Sequence, residues 1–209
     1  MSILDDLKQE NYRIGDLQAI PYDRNNPLFG ESYLPDLYYG LGAGRRTTFR
    51  RENLRMLFCG MNDLSLPAIV SYLAAQKLVI LGKWEGDTLR TGGACWATAV
   101  MGTKEKSGFG AYGFLRWIWG TDEQEWLSWL GLAYLFNETG GGLVQLHGQR
   151  YENNHLTARF MAKFGFHDLA AVPKLIARGE ILESGVISTV SRDDFENNLS
   201  RKIIAATLD

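Results

Sequence analysis

The apolar pattern changes period at Leu78, and that change limits the fold more than any other feature of the chain. Leu78 to Trp84 is a short apolar run closed by the turn residues Glu85-Gly86-Asp87. Ala94 to Met101 sets Cys95, Ala97 and Ala99 against Trp96, Thr98 and Val100, which is strand spacing. A polar stretch from Thr103 to Ser107 follows, and Gly110 to Trp119 reads as a third strand ending at Gly120. A parallel connection needs a crossover of about a dozen residues or more, and these links are shorter. The three strands therefore form an antiparallel meander.

Helices and strands then mix without strict alternation. Thr121 is placed to cap a helix, with Gln124 at capping-box spacing and Trp126, Trp129, Leu130, Ala133 and Phe136 at helical spacing. Asn137 to Gly142 ends it, and Leu143 to Leu146 reads as a fourth core strand. A helix from Asn154 to Lys163 starts on Asn and stops on Gly165, where the chain enters strand residues at Phe166. Phe166 to Ala171 and Val186 to Val190 are the last two strands, with a short helix expected over Pro173 to Gly179 and a terminal helix over Asp193 to Ala206.

Upstream, a small helix is expected at Ile3 to Gln9, a turn or two at Arg51 to Cys59, and a helix opening at Ser65-Leu66-Pro67 and continuing to Gln76. Residues 1–50 are broken by Pro21, Pro27 and Pro35 and by Gly30, Gly40, Gly42 and Gly44. They are expected to wrap over the rest through Tyr22, Phe29, Tyr33, Tyr38 and Tyr39. The domain plan is thus a 1–50 extension on a 51–209 main domain, of the α+β class.

Composition narrows the function classes. Hydrophobic residues make up 45%, enough for a real core. The net charge of −2 supplies no global drive toward nucleic acid or an anionic membrane. The one basic run is Arg45, Arg46, Arg50, Arg51 and Arg55, read as a solvated face, with phosphate binding as the alternative. Two distant cysteines, Cys59 and Cys95, make neither a disulfide framework nor a metal-ligand set, and fit reduced thiols in a cytoplasmic protein. Met1 to Asn11 carries charge and no apolar stretch of the signal-peptide kind, and no run approaches the roughly 18 apolar residues of a membrane span. No His, Asp and Glu spacing forms a metal site.

The element order from Leu78 to Val190 resembles the Gcn5-related N-acetyltransferase (GNAT) superfamily. The sharpest local match is Asn154 standing eleven residues before the pair Gly165-Phe166. The resemblance implies a mixed, mostly antiparallel sheet flanked by helices. It implies direct transfer of an acetyl group from acetyl-CoA to an amine of a small molecule or protein. It also implies a cofactor held by Phe114, Leu115, Arg116, Gly120, Thr121 and Asn154, and a homodimer among the partner expectations. The general look is similar to acetyltransferase-like proteins of bacteriophages and mobile elements, which would place the protein in a host cytoplasm or virion.

The sequence departs from the family pattern at three points. The pyrophosphate loop is Arg116-Trp117-Ile118-Trp119-Gly120-Thr121, where only Arg116 and Gly120 keep the pattern, and it opens a helix bearing Asp122, Glu123 and Glu125. The position that carries a proton-donating Tyr in many members is Met161, which leaves Tyr151 as the acid candidate. The third meander strand has no carboxylate, which leaves His147 as the base candidate, ahead of His155 and His167. Asp36, Asp63, Tyr33, Tyr38 and Tyr39 are the residues upstream that could hold an amine. The competing reading is a GNAT-fold binding or assembly protein that has lost acyl transfer.

Overall fold

The computed structural model describes residues 2–30, 32–43, 65–100, 106–178 and 181–208. The expected turn over Arg51 to Cys59, the arginine run, Cys59 and Asp63 lie outside the described residues. Eight strands form one sheet: β1 (Arg13–Ile14), β2 (Leu17–Pro21), β3 (Lys77–Glu85), β4 (Thr88–Ala99), β5 (Ser107–Phe114), β6 (Gln145–Tyr151), β7 (His167–Arg178) and β8 (Ile181–Ser191), in the order β1-β2-β3-β4-β5-β6-β8-β7. All neighbours pair antiparallel except β5 and β6. Among the described residues six α-helices flank it: α1 (Ile3–Gln9), α2 (Tyr33–Tyr38), α3 (Leu66–Ala74), α4 (Asp122–Phe136), α5 (His155–Lys163) and α6 (Arg192–Leu208).

Side chains alternate across a strand, so each strand feeds two cores. On one face Val79, Leu81, Cys95 and Ala97 pack beneath α1, α4 and α6 through Leu4, Leu130, Leu132 and Phe195. On the other face Leu78, Ile80, Ala94 and Trp96 meet Phe29, Leu34, Leu37 and Leu41 of the extension and Ile69 and Leu73 of α3. The aromatics of the extension stack on one another above this face, with Phe29 and Tyr33 centred 4.7 Å apart.

Several expectations need correction. The hairpin β1–β2 joins the sheet edge beside β3, although residues 13–21 carry no clear alternation. β4 begins at Thr88 rather than Ala94, because the left-handed Gly86 (φ 63°) turns the chain straight back into pairing. β5 covers Ser107 to Phe114 rather than running to Trp119; Arg116–Ile118 form a 3₁₀ turn. Trp117 and Trp119 therefore do not share a strand face. Trp117 donates its indole N–H to the Thr91 carbonyl at 2.9 Å, beneath Arg90, whereas Trp119 is 48% exposed. β6 starts at Gln145, not Leu143. No helix occupies Pro173 to Arg178: β7 runs through this stretch with register shifts at Asp168/Ala170 and Val172/Ile176. Pro173 is tolerated because β7 is an edge strand, where the missing N–H removes no ladder bond.

Candidate functional site

β5 and β6 pair only at Ser107–Gln145, Gly108–Leu146 and Phe109–His147. Beyond that point β5 stays on β4 as far as Phe114, and β6 stays on β8 as far as Tyr151. Each strand is thus held by its outer neighbour while the inner edges part. The result is a V with its vertex at Phe109 and His147.

Backbone alternation fixes which groups line the V. Val144 N–H donates to the Lys106 carbonyl at 2.7 Å, toward β6, and Leu115 N–H donates to the Gly92 carbonyl at 2.8 Å, toward β4. Even-numbered residues of β5 therefore turn their N–H and C=O toward β6, which aims the amides of Tyr112 and Phe114 into the gap. Phe114 and Leu115 themselves bury or half-bury their side chains in the two opposite cores, so any ligand contact from them is made by backbone.

β5 and β6 run in the same direction, so the helices that follow them, α4 and α5, both begin at the open end of the V. Helix N-termini present free N–H groups and partial positive charge. At α4 the expected cap is present: Thr121 Oγ1 accepts the Gln124 N–H at 3.2 Å. The return bond differs from a capping box. Gln124 Oε1 accepts from the Gly120 N–H at 2.7 Å, one residue before the cap, and Gly120 (φ 75°) is in a conformation that suits glycine. Trp119 Nε1–H donates to the Phe114 carbonyl at 3.0 Å. Arg116, in the 3₁₀ turn, is exposed.

The acidic first turn of α4 is less hostile to an anion than its sequence implies. Glu123 is paired with Lys83 of β3. Glu125 is paired with Lys163 of α5 and, at 2.7 Å, with Lys202 of α6. Burial pushes the Glu125 carboxyl up, but the two lysine hydrogen bonds outweigh it and hold the group below its usual value. These lysines come from elements distant in sequence, and nothing local signals them.

On the other arm, Asn154 caps α5: its Oδ1 accepts the Thr157 N–H at 3.1 Å. Met161 lies over β6, where a Cβ built on Gly148 would meet its Cε at 2.5 Å. The odd-numbered side chains of β6, His147 and Tyr151, point to the opposite face of the sheet. They stand roughly 13 Å apart along the strand, so one reacting atom cannot touch both backbones, only side chains reaching in from either end. The His147 ring lies 5.4 Å from that of Phe109, and burial lowers its pKa from 6.5. Tyr151 is buried at 9% exposure.

Arg150 sets the turn between β6 and α5, and sequence reasoning missed it because its carboxylate partner, Asp168, lies 18 residues on. Its guanidinium bonds Asp168 at 2.7 Å and the carbonyls of Tyr151 and Glu152 at 3.3 and 3.2 Å; Asp168 also accepts from Ser188 at 2.7 Å. A lysine reaches one partner where the planar fork reaches three. Arg150→Lys is expected to cost about 1–2 kcal/mol, read by denaturant midpoint, and to speed amide exchange at Asn154. Unchanged exchange there would sink the assignment. Below this turn, Glu152, Asn153, His155, Glu183 and Ser184 line an open cleft of about 550 Å³. His167 is exposed at the start of β7.

The acceptor candidates separate. Tyr33 bonds Thr91 Oγ1 at 2.6 Å, and burial pushes its hydroxyl up to about 12. Tyr38 is buried, whereas Tyr39, at 54%, and Asp36 are exposed.

No family model and no curated protein matches the sequence. Solved structures do match. A spermidine N-acetyltransferase chimera of Vibrio cholerae SpeG and hSSAT aligns with a TM-score of 0.64 at 10% identity, over 88% of this chain and 99% of that one. The Vibrio cholerae spermidine N-acetyltransferase in complex with CoA and spermine aligns with a TM-score of 0.64 at 10% identity, over 86% and 98%. A GNAT-family acetyltransferase from Bacillus anthracis aligns with a TM-score of 0.61 at 12% identity, over 87% and 98%. This α+β chain, with its V between two parallel strands and a helix opening at each tip, has the GNAT fold.

Proposed function

We propose that the protein is an N-acyltransferase that moves an acetyl group from acetyl-CoA to an amine. The observation that carries this is the V between β5 and β6, which offers backbone amides along one wall and two helix N-termini at its mouth. An extended, amide-bearing chain ending in phosphates fits both features: its amides match the wall and its anion matches the mouth. The lysine pairing of Glu123 and Glu125 removes most of the charge that would oppose that anion.

The donor supplies a thioester-activated acyl group. The chain supplies position and polarity. Amides of Tyr112 and Phe114, aimed into the V, would hold the donor and stabilise negative charge developing on its carbonyl oxygen. His147, neutral at physiological pH, would take a proton from the acceptor ammonium, directly or through water, so that the neutral amine attacks the thioester carbonyl. The departing sulfur takes a proton from Tyr151 or solvent, since Met161 has none to give. Arg116, beside Gly120 and Thr121, would neutralise phosphate charge, and the carboxamide of Asn154 would bond the donor while capping α5. Holding both reactants in the V contributes the larger share of the rate.

Calorimetric titration with acetyl-CoA tests this. Micromolar binding is expected, weakened about three- to tenfold by Arg116→Ala and by Asn154→Asp, each removing one hydrogen-bonding group. Asn154→Asp keeps the helix cap, so weaker binding at an unchanged Tm assigns the carboxamide to the ligand. No binding at millimolar acetyl-CoA would leave the fold without this chemistry and turn attention to protein partners.

A further inference from the structure

Two backbone groups placed to receive the donor, beside the Tyr112 and Phe114 amides, are taken by the chain's own side chains. The Gly120 N–H, at the mouth of the V, is held by the Gln124 carboxamide at 2.7 Å. The Phe114 carbonyl, which alternation turns into the V, is held by the Trp119 indole N–H at 3.0 Å. Both side chains belong to the β5–α4 connection, and the Trp119 ring is 48% exposed, so it can leave its seat without uncovering a core. From this geometry we infer that Gln124 and Trp119 are internal stand-ins for the acyl donor: they occupy two of the groups the donor would use, and the donor binds by displacing them. The inference rests on the acyl-CoA reading of the gap.

The exchange favours the right ligand. A carboxamide oxygen is a neutral acceptor, whereas a phosphate oxygen is charged and makes a hydrogen bond roughly twice as strong. The indole can be replaced on the Phe114 carbonyl by an amide N–H of an extended chain. A ligand that brings only one of the two groups releases only one stand-in and gains nothing at the other. The connection thereby selects for molecules carrying both an anion and an amide arm at the correct separation.

The test is a titration with CoA of the wild type, Gln124→Ala, Trp119→Phe and the double variant. Each single change is expected to tighten binding about three- to tenfold, the worth of one hydrogen bond no longer competing, and the double variant more than either. Gln124→Ala should at the same time lower Tm, because Gly120 loses its partner. Tighter binding joined to lower stability is a combination that a purely structural role would not produce. Pantetheine, which lacks the phosphates, should gain from Trp119→Phe and not from Gln124→Ala. If wild type binds CoA and both variants bind it equally or more weakly, the inference falls while the acyl-CoA reading stands. Binding by the double variant alone would support the inference in its strongest form, and binding by none of the four overturns both.

Discussion

On the acyltransferase proposal, replacing His147 with Gln is expected to lower acetyl transfer about 10²–10⁴-fold while leaving the Kd for acetyl-CoA unchanged, because the change removes the proposed base and keeps the shape of the side chain. His147 stands at the last paired position before β5 and β6 part, against the Phe109 ring, so a proton it accepts comes from a nucleophile held at the vertex of the V. The pH profile supplies the independent check. Burial lowers the pKa of His147 from 6.5, so the imidazole is neutral at pH 7, and the rate should fall only as pH drops through that lowered value. The variant should lose this acid limb. Stability moves the same way: the unfolded chain takes up the proton near 6.5 and the folded chain resists it, so folding loses free energy as pH falls below that range. A full rate in the variant would remove His147 from the chemistry and leave bound water as the base.

The second large effect is structural. Trp129→Ala is expected to destabilise the protein by about 3–5 kcal/mol, the usual cost of emptying a buried aromatic site. Trp129 is 2% exposed, and its ring lies 4.7 Å from that of Phe164, at the end of α5, and 5.3 Å from that of Phe195 on α6. One side chain thus joins α4 to α5 and α6. In a protein of this length the change corresponds to a Tm fall of roughly 6–20 °C. Calorimetry and denaturant melts both read it, and a cost under about 1 kcal/mol would mean that the three helices are held mainly by the lysine pairs of Glu125.

Much of this was legible in the residues. The caps on Thr121 and Asn154 are local signals, and so is Ser65-Leu66-Pro67, where Ser65 holds the cap position without a side-chain cap bond; each helix begins where these residues predict. The meander is equally local, since β3 is a short apolar run, β4 alternates, and the turn between the two is short. Other features depend on contacts that no window of sequence contains. β1 and β2 exist because β3 has a free edge to pair with, not because residues 13–21 favour extension. β7 continues through Pro173 because it lies at the outside of the sheet. At the site, the departure from the family's phosphate loop is plain in the sequence, but its meaning changes once Lys83, Lys163 and Lys202 converge on α4. The role of Gln124 was half legible: its spacing points to the cap, and only the fold shows its oxygen on the Gly120 amide instead. The gap itself is a register property of two strands, and no residue type announces it.

The pairing of β2 with β3 has a practical corollary for anyone trimming this protein. Val79, Ile80 and Leu81 are fully buried in the middle of β3, with β2 covering one side of their backbone. Cutting away the first 21 residues would leave a long apolar strand with a bare row of donors and acceptors, the arrangement that recruits neighbouring molecules edge to edge. A shortened version should therefore be lost to inclusion bodies rather than to unfolding alone. Solubility, more than melting temperature, is the property by which the opening residues justify their place.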